Sequence, residues 1–569
     1  MRRKAFVPSA ALALLTAGTA FAAFAPVVPS IPNRPSTLLE TSYYVYGPGL
    51  DFTDVELSLS ISNRRDYNDP VTLYLYWEDR DSGERGYYNV QEGNFIGAVL
   101  DLFGSAGSPV SLIAPNLSNF RLFGEDGALG PVPDSISTDT GHYQFVFEVR
   151  DAQGARVISR ANAMYNHVDG VVQVSGALNA DATWTSNNVY YLATPVNVGT
   201  ESSTTLTIEP GTVILGSNAG QGVLIIRPGS QIIADGTDTH PIVFSSEQPV
   251  GVRATGDWGG LVISGRAPTN QVNPVGEGDS GPYGGLQPND SSGILRYVRV
   301  EFAGIRFSEQ NELNGIAFQG VGRGTVVDHI QVHFNQDDGA EFFGGTVNVK
   351  YLLLTDAQDD SLDWTFGWTG SIQHFVAIQR TSSHDLGIEA DNSETNFLAQ
   401  PTSRPTIYNA TWVGNGPIAA ADPTADTGGG WLLRRGTLGL ISHAIVTNFW
   451  EQGVQVDGEP GLAAFGGALD VRNSFFFRNE MGGADEFPPQ AALQGVLNRP
   501  ANNNSTANPL LPNPNHIVQP DVAPLRESPA RNVGATAPND GFFDQVPWAG
   551  GVNPEDPWID DGWTTFSDN

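Results

Sequence analysis

The chain has 569 residues, with 62 acidic against 29 basic side chains, no cysteine and a formal net charge of -33. That balance excludes nucleic acid and anionic lipid as partners unless divalent cations intervene, and zero cysteines exclude disulfides and thiolate metal sites. Sixty-five glycines, 38 prolines and 10% aromatics, without a convincing helix-period run, point to many short strands joined by tight turns.

The N-terminus has the form of a secretory signal. Arg2, Arg3 and Lys4 make a charged region, Ala5 to Leu15 an apolar one, and Ala20-Phe21-Ala22 an A-x-A cleavage site, so residues 1–22 are expected to direct export. The apolar run is too short to span a bilayer and no other span follows, so no transmembrane segment is expected. From residue 37 to 168 the pattern alternates with period two, as in Val55–Ile61, Val71–Trp77 and Tyr143–Val149. The last of these turns at Asp151-Ala-Gln-Gly154 and returns as Ala155 to Arg160, a hairpin. The segment is expected to form a small β-sandwich of immunoglobulin-like kind.

Beyond residue 169 the pattern changes. The aromatic run Trp184 to Tyr191 leads into Leu206-Thr-Ile-Glu-Pro-Gly-Thr-Val-Ile214 and Val223-Leu-Ile-Ile-Arg-Pro-Gly-Ser-Gln-Ile-Ile233, each a strand, a Pro-Gly turn and a strand. Pro241-Ile-Val-Phe244 and Asp257-Trp-Gly-Gly-Leu-Val-Ile-Ser-Gly265 continue the series. These residues resemble the right-handed parallel β-helix proteins of the pectate-lyase-like superfamily, and Trp184 to Asn569 as a whole is similar to a group of secreted bacterial β-helix proteins. The resemblance implies an all-β fold, a right-handed parallel β-helix (solenoid) over 169–535 behind the sandwich. It implies no single activity, because this architecture carries lyases, hydrolases, adhesins and spacers alike.

Residues 271–292 form a Gly/Asp/Pro-rich insertion of the kind that projects from one turn of a solenoid onto one face. A second insertion runs from Asn415 to Gly429. Between them, GTVVDHIQVHFNQDDGAEFFG from Gly324, GTVNVKYLLLTDAQDDSLDWTFG from Gly345 and GSIQHFVAIQRTSSHDLGIEADN from Gly370 repeat one pattern three times. Such self-similarity at twenty-odd residues is the signature of stacked β coils. The tail, residues 536–569, carries Trp548, Trp558 and Trp563, which are expected to cap the open end of the stack.

The repeat also carries the candidate chemistry. Asp337, Asp338 and Glu341 recur as Asp359, Asp360 and Asp363, then as Asp385 and Glu389. Equivalent residues on adjacent coils would stand about 4.8 Å apart, and carboxylates that close either take up protons or share a cation. Oxygen ligands in irregular geometry suit Ca2+, so these eight residues are a candidate Ca2+ ladder; turn Asp residues bonding backbone amides are the plainer explanation. Strand alternation puts Asp337 and Glu341 on one face and Asp338 on the other, so the full set is not expected to converge on one ion.

An enzymatic reading uses the same edge. Polygalacturonase-like β-helix hydrolases employ clustered aspartates, which by resemblance would make Asp338, Asp359 and Asp360 the candidates with His384 beside them, and Trp364 and Trp368 a sugar-stacking surface. The Gly-His-Gly turn and Arg-x-Lys pair of those hydrolases are missing. A lyase needs a basic residue near Ca2+, for which Lys350 and Arg434-Arg435 are available. Phe342 and Phe343 are expected to point one inward and one outward. The favoured role is a non-catalytic binding or structural one, towards a polysaccharide or cell-surface component, with a polysaccharide lyase or hydrolase as the alternative.

Overall fold

The computed structural model describes residues 12–13, 36–41, 45–46, 57–62, 71–83, 85–88, 117–123, 140–151, 156–249, 251–308, 311–381, 383–419, 428–479, 491–516 and 519–567. The expected signal, apart from Leu12–Ala13, the hairpin turn at 152–155 and most of the second insertion lie outside the described residues. The chain divides into a unit ending at Val171, with which Pro249–Gly251 and Asp560–Gly562 group, and a second unit made of the rest.

In the first unit, alternating apolar residues pair as the sequence implies. Gly141–Asp151 runs antiparallel to both Val71–Asp79 and Val157–His167, with Phe147 opposite Leu75 and Ala161. Leu73, Leu75, Phe145, Phe147 and Val149 are buried. A separate antiparallel sheet joins Ser36–Thr41, Leu57–Ser62 and Leu117–Phe123.

The second unit is a right-handed parallel β-helix. Each coil of the repeat has one long strand and one short one: Val326–His333 with Ala340–Phe343, Val349–Thr355 with Leu362–Thr365, and Ser371–Ile378 with Ile388–Ala390. Long strands pair in parallel with long strands and short with short. A single left-handed residue bends every long strand at the same place: Tyr297, His329, Tyr351, His374, Asn409 and His443 all have φ between 48° and 60°. For Tyr such a backbone is strained. Stacking offsets the strain, with ring centroids 4.3, 4.2 and 4.7 Å apart along Tyr297, His329, Tyr351 and His374. Inside, alternate residues of the short strands meet in the lumen, where Phe342 stacks on Phe318 at 4.9 Å and on Trp368 at 4.1 Å. Phe343 faces outward against Tyr283, Leu313 and Ala317, so the Phe pair divides between the two faces.

The C-terminal tail does not cap the end of the stack. Val522, Ala523, Val552, Trp558, Ile559, Trp563 and Phe566 pack along one flank on Leu353, Val376, Ile378 and Val413. That outward apolar stripe would otherwise be wetted, and burying it is favourable. Two glutamines clasp the tail as a neighbouring strand would. Gln373 accepts from Asp544 N–H at 2.7 Å and donates to Asp544 O at 3.0 Å, and Gln331 does the same to Thr565 at 2.9 and 2.6 Å. Beyond the last coil, Leu493, Val496 and Leu497 of the helix Ala491–Leu497 join the lumen core instead. Among the described residues no helix is long and apolar enough to cross a membrane.

Candidate metal centre

The acidic edge arises where each long strand ends and the chain swings back to the next short one. In the short strands, parallel register places Glu341 beside Asp363 and Asp363 beside Glu389. In the preceding bends, Asp338 Oδ1 accepts the Asp360 N–H at 3.0 Å, and Asp360 Oδ1 accepts the Leu386 N–H at 2.7 Å. One oxygen of each bend carboxylate thus fixes the next coil, as Asp does in turns. Carboxylate oxygens along this edge gather into four overlapping groups: Glu312, Asp337 and Asp359; Asp338, Asp359 and Asp360; Asp338, Glu341 and Asp363; Asp360, Asp363 and Glu389. Within each group the ligand oxygens lie within 4.8 Å of one another.

Bringing these carboxylates together is costly without a compensating positive charge. Burial, followed by the neighbouring carboxylates, pushes Asp338, Glu341, Asp360 and Asp363 well above the usual carboxylate range. Burial and the charges of Asp359 and Glu312 raise Asp337 to about 7. The arginines sit at the margins. Arg434 pairs with Glu389 and, at 2.9 Å, with Asp391; Arg435 also pairs with Asp391, and Arg306 with Glu312. Two buried, unpartnered oxygens mark the middle. Asn314, 1% exposed, donates its Nδ2 to Glu341 Oε2 at 2.8 Å while its Oδ1 is buried with no hydrogen-bond partner. Asp363 Oδ1 is buried and unpartnered as well. The donor set is entirely oxygen, carboxylate plus one amide, which fits a hard divalent cation such as Ca2+.

Several expectations need correction. Asp338 does converge with Glu341, because it lies in the bend before residue 340, where strand alternation does not apply. Trp364 and Trp368 are 1% and 0% exposed and belong to the lumen core, so they offer no surface to a sugar. Their Nε1–H groups are committed to Thr437 Oγ1 and Val347 O. His384 is buried away from the carboxylate groups, its ring bonded to Ala357 O at 2.5 Å and to Thr381, with Asp356 at 3.6 Å. Asp385 is exposed and outside the four groups, although its charge acts on Asp359 and Asp360. Lys350, offered as a lyase base, is bound to Asp544 of the tail at 2.9 Å.

Three residues escaped the sequence reading: Glu312, Asn314 and Glu277. Glu312 ends the short hairpin Arg306–Ser308 with Asn311–Glu312, and Asn314 follows it. Glu277 lies in the first insertion, where burial and the charges of Asp337, Glu312 and Glu394 raise its carboxyl to about 8. The run Asn311-Glu312-Leu313-Asn314, polar residues interrupting an apolar series just ahead of the repeat, was the available signal.

Among the curated proteins and the solved structures, the comparisons found no match. The family model of the pectate-lyase like beta helix domain matches residues 176–494, more than half of the chain and all of the acidic edge. Together with the parallel coils, that match establishes that the chain belongs to the pectate-lyase-like β-helix family.

Proposed function

We propose that this is an exported, non-catalytic β-helix protein with a binding or structural role towards polysaccharide or another cell-surface component, and that its acidic edge holds Ca2+. The observation that carries the reading is the set of four interlocking carboxylate groups with arginines only at their margins. A catalytic role finds less support. Two of the central carboxylates are spent on backbone amides, the nearby guanidiniums are spent on ion pairs, and His384 faces elsewhere.

Melting with Ca2+ and with a chelator tests the ion. A ligand bound only by the folded state stabilises it by about 2.7 kcal/mol at a hundred times its Kd, so Ca2+ is expected to raise Tm by several degrees and chelator to reverse the rise. An identical transition in both solutions would sink the Ca2+ assignment. For the role itself, acidic and neutral polysaccharides are scored for both retention and new reducing or unsaturated ends. Retention without new ends is the expected result, and sustained cleavage would establish the lyase or hydrolase alternative instead.

A further inference from the structure

One four-residue pattern recurs where each coil of the edge enters its short strand. Asn314-Gly-Ile-Ala317, Asp338-Gly-Ala-Glu341, Asp360-Ser-Leu-Asp363 and Leu386-Gly-Ile-Glu389 stand in register on successive coils. The backbone ladder aligns their first positions as well: Gly315 N–H donates to Asp338 O, Gly339 N–H to Asp360 O and Ser361 N–H to Leu386 O. Two columns therefore run side by side. The bend column is Asn314, Asp338, Asp360 and Leu386; the strand column is Ala317, Glu341, Asp363 and Glu389, continued by Leu432. A triad of one bend residue, the strand residue of its own coil and the strand residue of the next is all carboxylate twice. Asp338 with Glu341 and Asp363 is the first, Asp360 with Asp363 and Glu389 the second, and in each the ligand oxygens lie within 4.8 Å of one another. One coil earlier Asn314 and Ala317 break the pattern, and one coil later Leu386 and Leu432 do.

Donors close both ends of this file. Asn314 Nδ2 holds Glu341 Oε2 at 2.8 Å, and Arg434 holds Glu389. Asp338 and Asp360 each spend one oxygen on the N–H of the next coil, and a carboxylate has a second to offer. Asp363, common to both triads, keeps Oδ1 buried without a hydrogen-bond partner, and so does the buried amide of Asn314. Buried oxygens that no donor reaches, set among carboxylates, are what a hard cation satisfies. As carboxylates, the five residues of the two triads carry more negative charge than Arg434 answers, and two divalent ions balance the rest where one does not.

We infer that the edge holds two divalent cations in file, one in each triad, bridged by Asp363, with the Asn314 amide oxygen completing the first. The ions stand one coil apart, about 4.8 Å. The inference rests on the proposed Ca2+ binding, and adds to it the number of ions, their places and the ligand they share.

Calorimetric titration of the full chain with Ca2+, after chelator has been used and removed, counts the ions. Two per chain are expected. Asp338→Asn and Asp360→Asn keep an oxygen for the backbone N–H but lose a ligand charge, so each is expected to weaken one binding step by about tenfold or more and spare the other. Asn314→Ala is expected to weaken the same step as Asp338→Asn. Asp363→Asn is expected to weaken both, and Asp359→Asn, on an exposed side chain outside the two triads, neither. A single ion in the wild type, lost in both bend variants, overturns the pair and leaves the Ca2+ reading standing. Loss of binding in Asp359→Asn would put the ion between the bend carboxylates of Asp338, Asp359 and Asp360 and overturn the pair too. No heat of binding together with no Tm shift removes both ideas. Should Asp363→Asn fail to fold, the count in the wild type and in the two bend variants decides.

Discussion

Arg380→Ala is expected to destabilise the protein by about 3–5 kcal/mol, the cost of leaving a buried charge without its partner. Asp356 sits at a corner of the coil with its side chain fully buried. It accepts from the Arg380 backbone N–H at 2.6 Å and from the Arg380 Nε–H at 2.7 Å, while Arg380 Nη1 donates to Phe566 O of the tail at 2.9 Å. Burial alone would raise the Asp356 carboxyl; the Arg380 charge outweighs it and holds the group below its usual value. A depressed carboxylate contributes stability above its unfolded value near 3.9, and that contribution is lost as pH falls through the folded value. In the variant the order reverses, because the unpaired carboxyl tolerates burial only when protonated. The gap in urea midpoint between wild type and Arg380→Ala should therefore be widest at pH 7 and narrow towards pH 4, and Asp356→Asn in the variant background should recover part of it. A gap independent of pH would instead assign the loss to the stacking of Arg380 over Phe334 and Phe566.

Trp368→Ala is expected to cost about 3–5 kcal/mol through the cavity it leaves in the lumen. The indole stacks on Phe342 and lies 5.9 Å from Trp364, with its N–H on Val347 O, so neighbouring coils cannot readily close the gap. The same variant decides the carbohydrate-platform idea. A core residue lowers the urea midpoint and leaves polysaccharide retention by the remaining folded protein unchanged. Loss of retention with an unchanged midpoint would put the ring at a binding surface after all.

The coils were readable because each repeats a local pattern: β-branched runs, a turn, and Asp at a fixed spacing from the next strand. Asp338 and Asp360 were identifiable for that reason. The convergence of Asp338 with Glu341 was not, since the period-two rule describes strands and Asp338 stands in a bend. Glu277 and Glu312 were hidden for a different cause: both reach the edge from segments outside the repeat, and no periodicity links an insertion to the coil it covers. Trp364 and Trp368 misled in the opposite sense. Aromatic residues beside acidic ones suggest a sugar site, but alternation along Leu362–Thr365 sends Trp364 inward, where it is lumen filling.

The flank-bound tail gives the molecule an order of completion. A simple stack of coils is held only by neighbour contacts, so each coil can settle as soon as the next one exists. Here the long strands Gly293–Glu301 and Val326–His333 keep outward residues waiting for partners more than two hundred residues downstream: Arg299 for Trp563, Gln331 for Thr565, His333 for Ser567. During synthesis, the stripe formed by Leu353, Val376, Ile378 and Val413 stays bare until residues 522–566 follow. Removing residues 563–567 would take away the clasps at Gln331 and His333 and the Trp563 and Phe566 rings from that stripe. Residues 522–567 thereby become the condition for a finished surface.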